Sequence, residues 1–196
     1  GVASSDTVER YIKAQYDGIL EIDELRTVDS KDEDGKSFKV VIGRQAEMRI
    51  VDPNTHMSLI SSNIPYGAHL FVEPGTAVKA DDTIYESDPF NAVMVAEADG
   101  TLHYEGLKEG VTYEVQSESN VATGRSEWVI IESKDKNTTP AYSVIRKGEE
   151  SATSYDLPAG ALLTQRDGAK LKAGDIIAKI PRVVVKTGDL TGGLPR

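Results

Sequence analysis

Side chains able to do chemistry are few and scattered along this chain. It contains no cysteine, which removes thiolate nucleophiles, disulfides and the usual zinc sites together. Its three histidines, His56, His69 and His103, lie far apart, and none belongs to a metal-binding spacing. His69 and His103 fall in segments with strand character, where a structural histidine at or near the surface is the expected outcome. The carboxylates Asp29, Asp32, Glu33 and Asp34 cluster around Gly35 but lack the ordered ligand positions of a calcium loop, including its bidentate acid at the twelfth place. They are expected to form a solvated hairpin tip. No serine sits in a Gly-x-Ser-x-Gly elbow, and Gly106 to Gly110 has neither the lysine nor the spacing of a phosphate-binding loop. Accordingly no catalytic, cofactor-binding or metal-ligating residue is assigned.

The pattern that does stand out is a repeat. Ile64-Pro65-Tyr66-Gly67-Ala68, followed by Leu70, Gly75, Val78-Lys79-Ala80, Asp82 and Ile84, recurs 93 residues later without a gap. The second copy reads Leu157-Pro158-Ala159-Gly160-Ala161, then Leu163, Gly168, Leu171-Lys172-Ala173, Asp175 and Ile177. Self-similarity at a fixed period predicts two copies of one module. Asp17-Gly18-Ile19-Leu20 also matches Asp99-Gly100-Thr101-Leu102 at a smaller offset, so loop lengths differ between the copies. Turn signals such as Asp17-Gly18, Pro74-Gly75 and Asp167-Gly168 separate short runs rich in β-branched and aromatic residues, the pattern of an all-β sandwich or barrel. Strands are predicted at 19–22, 38–42, 47–51, 92–96, 101–104, 112–115, 128–132, 142–145, 175–180 and 183–185. Long loops are predicted at 31–36, 116–126 and 133–139. Trp128, the only tryptophan, is expected to anchor the second core. Asp6-Thr7-Val8-Glu9 has capping-box spacing for a short helix with Val8, Tyr11 and Ile12 on its apolar face; an extended entry strand fits equally.

Charge and hydropathy narrow the function. A formal charge of −10 repels phosphate backbones, and no block of Lys and Arg with interleaved aromatics offsets it. Direct nucleic-acid binding is not expected. No apolar run approaches the ~20 residues of a membrane span, and Gly1 to Tyr11 lacks signal-peptide regions. The expectation is a soluble, cytoplasmic chain with no membrane contact, for which the Asn137-Thr138-Thr139 glycosylation spelling carries no weight.

Two resemblances bear on identity. Gly168, Leu171, Gly174-Asp175 and Ile177, with Asp99-Gly100-Thr101-Leu102, look like pieces of biotinyl and lipoyl carrier domains. The attachment lysine expected at a hairpin tip is missing from the matching neighbourhood, Ala92-Val93-Met94-Val95-Ala96, so a carrier, or an independent protein-interaction module, stands only as the alternative. The C-terminus, Lys186-Thr187-Gly188-Asp189-Leu190-Thr191-Gly192-Gly193-Leu194-Pro195-Arg196, is similar to the bacterial RNA polymerase β′ segment that returns into the second trigger-loop helix. Gly1-Val2-Ala3-Ser4 looks like the residues leaving the first trigger-loop helix. The body between them resembles the lineage-specific insertion that some β′ subunits carry inside the trigger loop, best over 40–89 and 157–182, including Ala178-Lys179-Ile180-Pro181-Arg182.

This resemblance implies two tandem sandwich-barrel hybrid motif modules at 12–90 and 91–186, flanked by trigger-loop linkers at 1–11 and 187–196. It also implies a non-catalytic part of a nucleotidyltransferase whose magnesium-holding aspartates lie elsewhere. Expected partners are the β′ trigger loop, the β subunit and regulators of the secondary channel. The expected role is to tune pausing, transcript cleavage and regulator access.

Overall fold

In the computed structural model, residues 10–116 and 127–182 are described. The expected strand at 183–185, the capping-box residues 6–9, residues 117–126 of the expected loop at 116–126, and the expected trigger-loop ends apart from Arg10 and Tyr11 lie outside them. The described chain is all-β: eighteen strands form four antiparallel sheets.

The first nine strands are β1 (Tyr11–Lys13), β2 (Gly18–Asp23), β3 (Thr27–Lys31), β4 (Ser37–Val41), β5 (Glu47–Val51), β6 (Ser58–Asn63), β7 (His69–Leu70), β8 (Ala77–Val78) and β9 (Thr83–Glu86). They build a five-stranded sheet ordered β1-β9-β7-β4-β3 and a four-stranded sheet ordered β6-β5-β2-β8. The second nine are β10 (Asn91–Val95), β11 (Gly100–Glu105), β12 (Tyr113–Gln116), β13 (Glu127–Ile130), β14 (Ala141–Ile145), β15 (Tyr155–Asp156), β16 (Leu162–Leu163), β17 (Lys170–Leu171) and β18 (Ile176–Pro181). Their sheets run β10-β18-β16-β13-β12 and β15-β14-β11-β17. Adding nine to every strand of the first pair of sheets generates the second pair. The chain is therefore two tandem sandwich-barrel modules of one topology.

The shared sequence phrase fixes shared local structure. Gly67 N–H donates to Val41 O at 2.7 Å, and Gly160 N–H to Ile130 O at 2.7 Å. Gly75 N–H reaches Leu20 O, and Gly168 N–H reaches Leu102 O. The carboxylates of Asp82 and Asp175 each accept from a backbone N–H three residues earlier, Lys79 and Lys172, both at 2.9 Å. Asp17 and Asp99 brace the same turns through the Ala80 and Ala173 N–H groups. Gly18 and Gly100 are required by close approach: a Cβ would sit 2.7 Å from Val51 O and 2.5 Å from Ile145 O, respectively.

Each module closes its two sheets on its own core. Leu20, Ile50, Ile64 and Ile84 are fully buried in the first, and Leu102, Ile130 and Ile177 in the second. Trp128 lies at the margin of the second core, not at its centre: half-buried, it stacks on Tyr113 at 4.7 Å and carries the Arg166 guanidinium over its other face at 4.3 Å. Tyr11 and Ile12, weighed above as part of a helical face, are extended in β1, where pairing with Glu86 and Tyr85 of β9 satisfies their backbone.

Candidate functional site

None of the chemistry-bearing residues converges. His56 sits in the β5–β6 turn with φ of 62°. His69 lies 3.9 Å from Glu86 in the first module, and His103 lies 3.7 Å from Asp167 in the second. Burial holds the His69 imidazole below the usual histidine range, partly opposed by Glu86. No three His, Asp or Glu side chains come together in a metal-holding group among the described residues. The acidic cluster is the tip of the β3–β4 hairpin, where Asp32 Oδ1 accepts from Asp34 N–H at 2.9 Å and Lys36 N–H at 2.8 Å while Asp29 pairs with Lys39 Nζ at 2.9 Å. Asp32 thus serves the turn itself, and Asp29 pairs across the two strands. The segment matched to a carrier's lysine tip forms β10 and is paired along β18, so it is no hairpin tip.

What the fold does assemble is a junction. A third apolar cluster joins the modules: Val40 and Ile42 from one, Val95 from the other, with Phe38, Tyr66, Val93 and Ile176 packed around them. Tyr66 is its clasp. β10 is the edge of its sheet, and the Tyr66 hydroxyl donates to Val95 O at 3.2 Å and accepts from Val95 N–H at 3.4 Å, covering that edge. Desolvation raises the Tyr66 phenol pKa, so it stays protonated and able to donate at ordinary pH. Arg44 caps the ring at 4.6 Å. At Gly67 the modules approach so closely that a Cβ would meet Val93 Cγ2 at 2.2 Å; the equivalent Gly160 has open space.

The same junction gathers the two ends of the described body. Ser87 N–H donates to Arg10 O at 2.9 Å, and Arg182 N–H donates to Phe90 O at 2.7 Å. Both ends thus hang on the linker 87–90, which Asp88 stiffens by accepting from Phe90 N–H, Asn91 N–H and Asn91 Nδ2. Burial would raise the Asp88 pKa, but these donors outweigh it and the net shift is downward. Arg10, His69, Glu86, Asp88, Lys179 and Arg182 line a cleft of about 130 Å³ there.

No family model matches the chain. Known proteins align with it along its whole length. It is 54% identical over 196 residues to the DNA-directed RNA polymerase subunit β′ of Porphyromonas cangingivalis. It is 50% identical to that of Parabacteroides distasonis and 45% identical to that of Bacteroides fragilis, again with the whole chain covered. The chain belongs to the bacterial β′ family, as a segment of that subunit. It spans 17% of the length of the first of these relatives and 14% of the other two. No helix among the described residues is long and apolar enough to cross a membrane.

Sequence reasoning found the modules and the family but passed over Tyr66. The signal was present, because Tyr66 aligns with Ala159, a position where the two copies part.

Proposed function

We propose that this β′ segment is an insertion within the trigger loop that contributes no catalytic group of its own and biases the loop between open and folded states. One observation supports this reading above the others: Arg10 and Arg182 are both tied to the four-residue linker 87–90, so the chain enters and leaves the body side by side. A domain spliced into a helical hairpin has to return its chain to where it left. The resemblance of residues 186–196 to the segment that returns into the second trigger-loop helix supports taking that hairpin as the trigger loop.

An appendage on a mobile element alters its equilibrium through contacts made in one state and not in the other. In this reading the partners are the rest of the cytoplasmic polymerase, above all the trigger loop and the β subunit, and regulators using the secondary channel. The nucleotide chemistry and its magnesium ions belong to other parts of β′, and this segment touches neither nucleic acid nor a cofactor.

The test is to replace Ser5 to Gly188 in the intact polymerase by a short flexible linker and to measure elongation, pause lifetimes and transcript cleavage on one template. Nucleotide addition persists, while pause lifetimes and cleavage rates change several-fold; a bias of about 1.4 kcal/mol suffices for tenfold. Rates equal to those of the intact enzyme at every pause site would refute the proposal.

A further inference from the structure

Among the described residues, the sheet edges are protected everywhere but one. On β10, Tyr66 covers Val95, Asp88 accepts from Asn91 N–H, and Val93 lies against Gly67 of the first module. β8, β15 and β17 are two residues long and β1 three, while the longer edges β3 and β12 carry Asp29, Lys31 and Glu114. Such shortness, charge and covering are the usual defences of an edge. β6, Ser58-Leu59-Ile60-Ser61-Ser62-Asn63, has six residues and no charge, and its exposed positions alternate from Leu59 to Asn63. A bulge opposite Ile50 and Val51 disturbs only its first residues. In the second module the equivalent edge is cut to the two residues of β15, so the open edge is a property of the first module alone.

The free groups on β6 follow from the ladder. Ile64 N–H donates to Ala46 O at 2.9 Å, which makes Ala46 and Ile64 a hydrogen-bonded pair. In an antiparallel ladder such pairs alternate, so Met48–Ser62 and Ile50–Ile60 are bonded while Arg49–Ser61 and Glu47–Asn63 are not. The N–H and C=O of Ser61 and Asn63 therefore point away from the sheet; Asn63 O accepts from Ser62 Oγ at 3.3 Å, which leaves both groups of Ser61 and the Asn63 N–H as a template for another strand.

We infer that β6 is a docking edge for an extended segment of a partner protein carrying lysine or arginine at alternate positions. The charge comes from the neighbouring rows of the sheet's outer face. Ser61 adjoins Arg49 and Glu21, and Asn63 adjoins Glu47 and Asp23, giving three carboxylates to one guanidinium, which Glu21 and Asp23 already hold. An added strand with cations on that face meets a negative surface, while its alternate, apolar side chains turn to the opposite face, beside Ile60 and Ser62. A second copy of this chain is disfavoured as the occupant, because edge-to-edge pairing would set two acidic faces side by side.

The experiment uses the full 196-residue chain and a fluorescein-labelled peptide of alternating lysine and valine, read by anisotropy, with an alternating glutamate–valine peptide as control. The lysine peptide binds saturably and slows amide exchange at Ser61 and Asn63 at least tenfold, and the glutamate peptide does neither. Ser61→Pro deletes an outward N–H without touching the bonds of Ile60 or Ser62, and weakens binding at least tenfold with the fold intact by circular dichroism. Should this variant unfold, Ser61→Lys, which keeps every backbone group and adds a like charge, serves instead and weakens the lysine peptide several-fold. Absence of binding, binding without slowed exchange at these two amides, or binding unchanged in a folded variant would each overturn the inference. Self-association of the chain abolished by the same substitutions would assign the edge to a second copy.

Discussion

At single residues the repeat acts as an internal control. Gly67 and Gly160 occupy the same turn with φ of 88° and 96°, but only Gly67 is pressed against the other module. Gly160→Ala is expected to cost about 1 kcal/mol for the left-handed conformation. Gly67→Ala adds overpacking of about 1–3 kcal/mol, so urea midpoints of the two variants should differ clearly; equal midpoints would contradict the observed approach of Val93. His69 supplies a pH signature. Its folded pKa lies below the ordinary histidine value of about 6.5, chiefly through burial, so the neutral form is favoured on folding. The associated stability is complete above pH ~6.5 and is lost as pH falls through the lower folded value. His69→Gln should flatten the melting temperature between pH 7 and 5, and an unchanged slope would dismiss His69 as its source. At this scale the sequence was informative wherever a residue served its own turn, as Asp32 does, and silent wherever it served the other module. Tyr66 and Gly67 look like ordinary members of a turn phrase until Val93 and Val95, distant in the chain, are brought against them.

At the level of elements, legibility followed strand length and burial. Segments with strong alternation and apolar faces, such as Glu47–Val51 and Gly100–Glu105, were found nearly to the residue. The two-residue strands β8, β15, β16 and β17 were missed because a pair of residues has no period, and β7 was read only as strand character around His69. β3 and β6 were missed because edge strands carry polar residues on their open side. The loop expected at 31–36 is a tight hairpin tip, since Lys31 and Ser37 already pair. Turn chemistry was the firmest element-level signal, and it makes a prediction. Asp82→Ala and Asp175→Ala each remove one carboxylate cap at 2.9 Å from an exposed turn, so each should lower stability by about 1 kcal/mol. The two losses should be nearly equal in denaturant titrations, because the geometry is the same. A severalfold difference between them would mean that the modules use the shared phrase differently.

For the whole molecule, the placement of the ends links the junction to the attachment. Arg10 continues into β1 of the first module, and Arg182 follows β18 of the second. Three peptide steps separate Ser87 from Phe90, at most ~11 Å, and each end lies one hydrogen-bonded neighbour away, ~5.5 Å. The two ends are therefore held within about 22 Å. Since each belongs to a different module, any rotation of one module on the other changes their separation. Tyr66 and the small apolar cluster around Val40, Ile42 and Val95 thus set how the body is mounted on whatever carries it. Spin labels placed at Arg10 and Arg182 of the full chain should give a narrow distance distribution centred below about 22 Å. Tyr66→Ala removes the ring from the junction and leaves the Val95 edge to solvent, so it should broaden that distribution while both module cores stay folded. Tyr66→Phe, which keeps the ring and loses only the hydroxyl contacts, should fall between the two. Ends separated by the full width of the body would sink the side-by-side exit, and with it the main support for an insertion. An unchanged distribution in Tyr66→Ala would show instead that the linker 87–90 alone fixes the mounting, with Asp88 as the residue to test next.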